Sequence, residues 1–507
     1  MMGRIMPMSN EGTTLHTLFH PRTIAVAGMS TSRRGPANRF VSDLRDFGFD
    51  GQIFAIHPSA TEIDGVPAYS SFAEVPTRIN YAFIAVAAAQ ATKLLEEVGG
   101  NVDYAQVMSS GFGETGSAKG LQMEKDLVRA ARDGGARVLG PNCLGTYSPQ
   151  GRMTFVAGVP SESGVVGVVS QSGGLAIDFM RRGSRRGLRF SGVVTVGNSA
   201  DIDPADLLAH YLADDETQVI GLYLETARQG RRLFELLLEA RGRKPCVLLK
   251  GGRSEQGSRA AASHTGALAS DDRIWVALCE QTGAILAESL DEFIDVLTCL
   301  QHLCLKRVSA TRDIALVGNG GGTSVLATDA LSRVGLRVGP FAEETILGLE
   351  ALSLPPGTSV LNPVDTPATT VLVRDGEVMQ DILRLVASDS ATDALIAHAN
   401  LAVLLASTDR PAQLLDNLFL AIHAASNAAA EDKHVLAVLR SDGDPPVEAA
   451  RSELTERLRG VGVPVLHELT AAGTVLQGVR QVEEVWAQRD LPQTRTTSAI
   501  TSAQAGL

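Results

Sequence analysis

The sequence predicts an α/β protein made of three consecutive domains, each built on a parallel sheet. Short runs rich in Val and Ile alternate with Ala- and Leu-rich stretches of helical length, which is the pattern of βαβ units. The 507 residues are enough for about three or four domains. The 50 glycines and the 5 % aromatic content indicate tight turns and aliphatic packing, which favours α/β layers over an all-β sandwich.

The predicted strands divide the chain into three blocks. The first domain, 14–146, has its strands at 23–28, 52–58, 81–86 and 104–110. The second, 147–304, has strands at 165–171, 190–198, 219–225 and 245–252, and closes with a helix at 291–303. After a linker at 305–312, the third domain, 312–486, has strands at 313–319, 393–405, 434–440 and 464–469. The polar segments 1–13 and 488–507 are predicted to be flexible tails.

Composition excludes several classes of function. The net charge of −12 argues against a nucleic-acid partner, which requires a broad positive field. The five cysteines are odd in number and form no CxxC, so neither a disulfide framework nor a zinc site is expected. No apolar run is long enough to span a membrane, and the N-terminus does not resemble a signal peptide. We therefore expect a cytoplasmic protein with reduced thiols and no bound metal.

Three glycine-rich turns join a predicted strand to a predicted helix. They are AGMSTSRRG at 27–35, SQSGG at 170–174 and NGGGTS at 319–324. Such a turn directs the N–H groups of a helix N-terminus beyond the sheet edge, where they can bind phosphate. The alternative for the first two is an ordinary turn or helix cap. The three glycines of the third are costly for folding, so an anion cradle explains them better.

Two further residues suggest phosphoryl chemistry. His264 lies among Ser, Thr, Ala and Gly in the segment 250–269, and imidazole suits the acceptance and release of a phosphoryl group near neutral pH. Glu225 ends an apolar strand, where its carboxylate could orient an imidazole. The alternatives are a surface-loop histidine and a solvated acid. Cys143, in the turn GPNCLG, has no histidine nearby in sequence and is expected to be buried or to line a site.

Taken together, the motifs resemble those of the NDP-forming acyl-CoA synthetases, which are relatives of succinyl-CoA synthetase. Nine motifs occur in the family's order across residues 14–485, namely FHPRTIAVAGMS, MSSGFGETG, RVLGPNCLGTYSP, GVVSQSGGLAIDF, TVGNSADID, LYLET, SRAAASHTGALA, NGGGTSVLATDAL and LNPVDTP. The resemblance implies a Rossmann-like CoA-binding domain followed by two flavodoxin-like domains.

The resemblance also implies roles for individual residues. An acyl-CoA and phosphate would give an acyl phosphate, whose phosphoryl group would pass to His264, oriented by Glu225, and then to ADP. Phosphate would be bound by the starts of two helices, at Ser170, Gln171, Ser172, Gly173 and Gly174, and at Asn319, Gly320, Gly321, Gly322 and Thr323. CoA would be bound by Gly28, Ser30, Thr31, Ser32, Val86, Ala87, Ala88, Ser109, Ser110, Gly111 and Asn142.

The family also uses an ATP-grasp domain, for which the three blocks leave no room. The resemblance therefore implies a separate ATP-grasp β-type subunit that binds ATP or ADP with Mg²⁺, in a hetero-oligomer, although a homodimer is also open. The substrates would be a small carboxylic acid and its acyl-CoA. Two alternative functions remain open for this fold. One is a non-catalytic, regulatory CoA-binding protein, and the other is a phosphate-dependent acyl or carbamoyl transferase.

Overall fold

The strands of the protein form three separate sheets in the computed structural model, which describes residues 15–259, 271–306, 308–431 and 433–490. The first sheet has the order β3-β4-β2-β1-β5-β6-β7 and is parallel except for the β3–β4 hairpin. Its strands are β1 (Thr23–Ala27), β2 (Gln52–Ile56), β3 (Glu62–Ile63), β4 (Val66–Tyr69), β5 (Ile79–Ile84), β6 (Val102–Val107) and β7 (Arg137–Leu139).

The second and third sheets are also mostly parallel. The second has the order β13-β12-β11-β9-β10-β8, with only β8 antiparallel, and the third the order β15-β14-β16-β17-β18. The strands of the second are β8 (Gly145–Tyr147), β9 (Val166–Ser170), β10 (Phe190–Thr195), β11 (Val219–Leu224), β12 (Cys246–Lys250) and β13 (Ile285–Ala287). Those of the third are β14 (Ile314–Gly318), β15 (Val364–Asp365), β16 (Ala394–Asn400), β17 (His434–Arg440) and β18 (Val465–Leu466).

Helices connect the strands and cover the sheets. In the first two domains they are α1 (His16–Phe19), α2 (Pro36–Asp46), α3 (Ala88–Glu96), α4 (Ala118–Asp133), α5 (Gly173–Arg185), α6 (Pro204–Ala213), α7 (Gly230–Ala240), α8 (Asp272–Thr282) and α9 (Leu290–Leu300). In the third domain they are α10 (Gly321–Arg333), α11 (Glu343–Ala351), α12 (Glu377–Ala387), α13 (Leu401–Ala406), α14 (Pro411–Ala428), α15 (Pro445–Gly460) and α16 (Leu469–Asp490). The predicted α/β class with three parallel-sheet units is confirmed.

All three glycine-rich turns follow a strand at which the sheet order reverses. In the first sheet β1 lies between β2 and β5, in the second β9 lies between β10 and β11, and in the third β14 lies between β15 and β16. At such a switch point the neighbouring connections run to opposite faces of the sheet and leave a crevice at the carboxyl edge. The sequence motif thus marks the switch point of each sheet.

Some predicted boundaries differ from the observed ones. The segment 393–405 contains the strand β16 followed by the helix α13, because Asn400 caps that helix by accepting a hydrogen bond from the Val403 N–H at 3.4 Å. Gly145 and Thr146, predicted in the first domain, belong to β8 of the second sheet. The helix α16 continues to Asp490, so the start of the predicted C-terminal tail is helical.

The three units pack against one another through shared apolar clusters. One cluster joins side chains of the first and second sheets, and another joins the second and third. In the latter, α16 of the third domain packs against α9 of the second. Among the described residues, we find no helix with the length and apolarity required to cross a bilayer.

The buried carboxylate of Glu483 ties the interdomain connection to the third sheet. It accepts hydrogen bonds from the backbone N–H groups of Lys306, at 2.9 Å, and Thr311, at 2.7 Å, and its Oε1 lies 2.8 Å from His434 Nε2. We expect Glu483→Ala to lower the free energy of unfolding by about 3 kcal/mol, because it leaves three buried polar groups without their partner. Urea unfolding followed by circular dichroism measures this loss.

The neighbouring Glu484 provides the matched control. Its carboxylate pairs with Arg312 at 2.6 Å, but both side chains are partly exposed. Glu484→Ala should therefore cost less than about 1 kcal/mol. Equal losses for the two variants would show that burial of Glu483 does not decide its contribution.

Candidate active site

The start of helix α5 presents backbone N–H groups at the carboxyl edge of the second sheet. Ser172 caps the helix by accepting a hydrogen bond from the Leu175 N–H at 3.3 Å. The buried Ser170 hydroxyl donates to the Ser172 carbonyl at 2.7 Å, so it stabilises the turn from within. Gly173 and Gly174 are the first two helical residues, and a Cβ at Gly174 would meet no atom within 4 Å. The positive end of the helix is therefore open to an anion.

A cavity of about 390 Å³ adjoins this helix start. It is lined by Gln171, Ser172, Gly173 and Gly174, together with Asn142 of the turn that follows β7. The structure thus brings together residues predicted separately for phosphate and for CoA. The cavity is therefore lined both by the N–H groups at the start of α5 and by the Asn142 residue.

Cys143 also lines this cavity but does not have the character of a nucleophile. Its side chain is buried, and burial raises the pKa of the thiol to about 12. Its Sγ contacts the Leu139 carbonyl at 3.5 Å. The expectation that Cys143 is buried or lines a site is confirmed for its burial.

Glu225 lies immediately after β11, next to the start of α5. The Gln171 amide oxygen accepts hydrogen bonds from the Glu225 and Thr226 N–H groups, which locks the two loops together. The Tyr223 hydroxyl donates to Glu225 Oε1 at 3.0 Å, and burial together with this carboxylate raises the pKa of Tyr223. Glu225 Oε2 is buried and has no hydrogen-bond partner among the described residues. An acceptor held in this way could orient an imidazole N–H.

His264 lies outside the described residues, within the interval 260–270. Its proposed role therefore stays a prediction from the sequence.

The start of α10, in the third domain, already contacts a carboxylate of the protein, that of Asp365. The Gly320 N–H donates to Asp365 Oδ1 at 2.8 Å, and a Cβ at Gly321 would lie 3.1 Å from Asp365 Oδ2. Asn319 is buried, and its Oδ1 accepts the Asn400 N–H at 2.9 Å. The exposed Gly322 and the Thr323 hydroxyl, which is 3.4 Å from Arg440, complete the turn. The phosphate site predicted here remains a prediction, with Asp365 as a competing anion.

A second cavity, of about 410 Å³, lies at the switch point of the first sheet and is lined by Gly28 and Val86. Gly28 has φ +105°, and a Cβ there would lie 2.5 Å from the Ala85 carbonyl oxygen. Any residue other than glycine at this position would therefore force the neighbouring strand end to shift. In the loop that follows, the Ser30 hydroxyl accepts hydrogen bonds from the N–H groups of Ser32 and Arg33, both at 3.3 Å.

The remaining residues predicted for CoA lie at the same sheet edge. Thr31 is exposed in the loop after β1, Ala87 caps α3, and Ala88 is the first residue of that helix. Ser109 is hydrogen-bonded to a lining residue of each cavity. Its hydroxyl donates to the carbonyl of Val86, which lines the cavity beside Gly28. Its carbonyl accepts the Asn142 N–H at 3.1 Å, and Asn142 lines the cavity beside α5. Ser110 and Gly111 follow in the same loop.

Sequence reasoning missed several residues at these cavities. His57, at the end of the second predicted strand, lines the cavity beside Gly28, as does Lys93 of α3. Asn198, which follows β10, lines the cavity beside α5. It lies in TVGNSADID, a motif that contributed to the family resemblance, but nothing in the motif assigned the side chain a partner. Lys93 has no signal in the sequence beyond its charge.

Comparison with protein-family models matches residues 22–149 to the CoA binding domain and residues 163–300 to the succinyl-CoA ligase like flavodoxin domain. The α subunit of ADP-forming acetate–CoA ligase I of Pyrococcus furiosus is 36 % identical over 359 residues, covering 69 % of this chain and 76 % of that subunit. The ADP-forming acetate–CoA ligase I of Archaeoglobus fulgidus is 36 % identical over 354 residues, but the match spans only 50 % of its length.

A solved structure resembles nearly the whole chain. It is the dinucleotide forming acetyl-coenzyme A synthetase 1 of Ca. Korarchaeum cryptofilum in complex with phosphate and ADP, with a TM-score of 0.81 and 28 % identity. The similarity covers 94 % of this chain and 99 % of that one. The third sheet is thus part of the shared architecture, although neither family model extends beyond residue 300.

Proposed function

Because the chain belongs to the family of ADP-forming acyl-CoA ligases, we propose that it is the α-type subunit that carries the acyl and phosphoryl steps of that reaction. The overall reaction interconverts acyl-CoA, phosphate and ADP with a carboxylic acid, CoA and ATP. The observation that carries the proposal is the cavity lined by the open N-terminus of α5 and by Asn142, with the Glu225 loop hydrogen-bonded to Gln171 of the same turn.

The first step is the formation of an acyl phosphate in this cavity. A phosphate oxygen attacks the thioester carbonyl carbon, the C–S bond breaks, and CoA leaves as a thiolate that takes up a proton. The N–H groups at Gly173 and Gly174 bind the phosphate and its developing charge. These groups carry no formal charge, which explains how a chain of net charge −12 can bind anionic substrates.

The second step passes the phosphoryl group to His264. An imidazole nitrogen attacks phosphorus, the P–O bond to the acyl group breaks, and the carboxylate leaves. The unpartnered Oε2 of Glu225 suits the remaining imidazole N–H and would fix the reactive tautomer. The start of α10 is proposed as the second phosphate site, in which the Gly320–Gly322 backbone receives the phosphoryl group opposite α5.

CoA is assigned to the switch-point cavity of the first sheet. Gly28 and the strand end at Val86 allow close approach of the ligand, and Lys93 supplies a cation for its phosphates. Ser109 is hydrogen-bonded both to Val86, which lines this cavity, and to Asn142, which lines the other, and we assign the thiol end of CoA to the Asn142 cavity.

The step from phosphohistidine to ADP is assigned to a separate ATP-grasp subunit that binds the nucleotide with Mg²⁺. The support is that this chain matches about half of the Archaeoglobus fulgidus relative and most of a protein designated as an α subunit. The proposed assembly is a hetero-oligomer. A purely regulatory role is not favoured, since the named relatives are ligases.

The experiment uses the full chain with acetyl-CoA and ³²P-labelled phosphate. The expected result is release of CoA together with acid-labile label on His264, located by peptide mapping. Release of CoA without label on the protein would favour a phosphate-dependent acyl transferase. Binding of CoA with neither product would leave the regulatory role.

The CoA assignment has its own prediction. We expect Gly28→Ala to weaken CoA binding about tenfold, equivalent to ~1.4 kcal/mol, because the added methyl group displaces the Ala85 carbonyl and with it the strand end at Val86. Isothermal titration calorimetry measures the affinity. Gly100→Ala is the matched control, since Gly100 also has a positive φ but a Cβ there would meet nothing within 4 Å. Equal affinities for the two variants would contradict the assignment.

A further inference from the structure

A network of hydrogen bonds outside the predicted site ends at the Asn142 amide. Two carboxylates, Glu114 and Glu124, converge on the side-chain NH₂ group of Asn198, with Nδ2 at 2.6 Å from Glu114 Oε2 and 2.8 Å from Glu124 Oε2. Asn198 Oδ1 in turn lies 3.5 Å from Asn142 Nδ2. Asn198 and Asn142 both line the cavity beside α5.

The chemistry of these groups determines the orientation of both amides. An ionised carboxylate is only an acceptor, so two carboxylates require that Asn198 turn its NH₂ group toward them. Its Oδ1 must then face Asn142, which must turn its own NH₂ group toward Asn198. The network therefore leaves the Asn142 Oδ1, an acceptor, as the group free to face the cavity.

Several hydrogen-bond donors surround the two carboxylates. Glu124 is buried on α4, where it pairs with Arg228 at 2.8 Å and accepts the Gly113 N–H at 3.2 Å. Glu114 accepts the N–H groups of Gly111 and Phe112. Burial raises the pKa of Glu114, but the hydrogen bonds from Asn198 and from these N–H groups outweigh it and lower the pKa below its ordinary value.

The backbone of the loops is built to hold this arrangement. The Asn198 N–H donates to the Pro141 carbonyl at 3.0 Å. Gly197 has φ +50°, and a Cβ there would lie 2.3 Å from the carbonyl oxygens of both Pro141 and Asn142. Asn142 itself has φ +58°. Two turns from different sheets are therefore in close backbone contact at the point where the two amides meet.

We propose that Glu114 and Glu124, acting through Asn198, are positioning residues that orient the acyl phosphate in the cavity. The donor end at Gly173 and Gly174 attracts the phosphoryl group, and the acceptor presented by Asn142 repels it. The uncharged acyl carbonyl carbon is thereby held near Asn142, where the thiol of CoA attacks it and phosphate leaves when the first step runs in reverse. This inference rests on the proposed function of the cavity.

The test compares variants of Asn198 in the full chain, with acetyl-CoA and ³²P-phosphate as the probes. We expect Asn198→Ala to lower the rate of phosphate-dependent CoA release about 10- to 100-fold, because orientation is lost. The affinity for free CoA, measured by calorimetry, should not change, since the cavity at Gly28 is not altered. An Asn198→Ala rate within about twofold of the wild type would overturn the inference.

Asn198→Asp separates positioning from a merely structural role. It places a third carboxylate against Glu114 and Glu124, with Arg228 as the nearest cation, so the cluster should bind a proton at mildly acidic pH. The bound proton restores a donor, and we expect the rate relative to wild type to recover below about pH 6. A ratio that does not change with pH would contradict the positioning role. If the wild-type chain itself neither releases CoA nor becomes labelled, the proposed function fails instead.

Discussion

We expect His264→Ala to abolish phosphorylation of the protein by acetyl-CoA and phosphate, and to reduce net ligase turnover by at least about a thousandfold. The reason is that the proposed mechanism holds the phosphoryl group on this imidazole between the acyl step and the nucleotide step. Peptide mapping of acid-labile ³²P and an assay of ATP formation with the proposed ATP-grasp subunit measure the two losses.

The same variant provides an internal control. Formation of acyl phosphate needs the α5 cavity and CoA but not the imidazole, so phosphate-dependent release of CoA should persist in His264→Ala. Label that remains on the protein, or turnover close to that of the wild type, would refute the assignment of His264. Loss of CoA release together with the label would indicate a folding defect, which circular dichroism would detect.

We expect Gly174→Asp to abolish phosphate use without harming the fold. A Cβ at Gly174 meets no atom within 4 Å, and the position is in the first turn of α5. An acidic residue there should raise the free energy of unfolding by about 0.5 kcal/mol through the helix dipole. The same carboxylate occupies the anion site, so phosphate-dependent CoA release should fall about 100-fold.

Gly174→Ala is the matched control, because it adds the Cβ without the charge. It should leave the rate and the KM for phosphate close to their wild-type values, whereas Gly174→Asp should raise that KM. Gly173→Ala is unsuitable as a control, since its Cβ would lie 2.7 Å from Leu144 Cγ. If Gly174→Asp keeps a normal KM for phosphate, the α5 N-terminus is not the phosphate site.

Much of the fold could be predicted because the signals are local. A buried parallel strand is an apolar run, as in β9 and β14, and the glycine-rich turn after it is a contiguous motif. The sequence order of these motifs also carried the family resemblance. The strand β8 could not be predicted in this way, because its three residues pair with β10, some 50 residues later in the chain.

The candidate site likewise has features that the local sequence predicts and features that depend on the tertiary structure. The sequence by itself determined the glycine-rich start of α5 at Gly173 and Gly174 and the strand-end position of Glu225, since each depends on a few adjacent residues. Only the tertiary structure decided that Asp365 faces α10 and that Glu114 and Glu124 converge on Asn198. The physical reason is that a hydrogen bond between side chains depends on distance and direction in space. Residues separated by 45 to 84 positions acquire that geometry only when the sheets have packed.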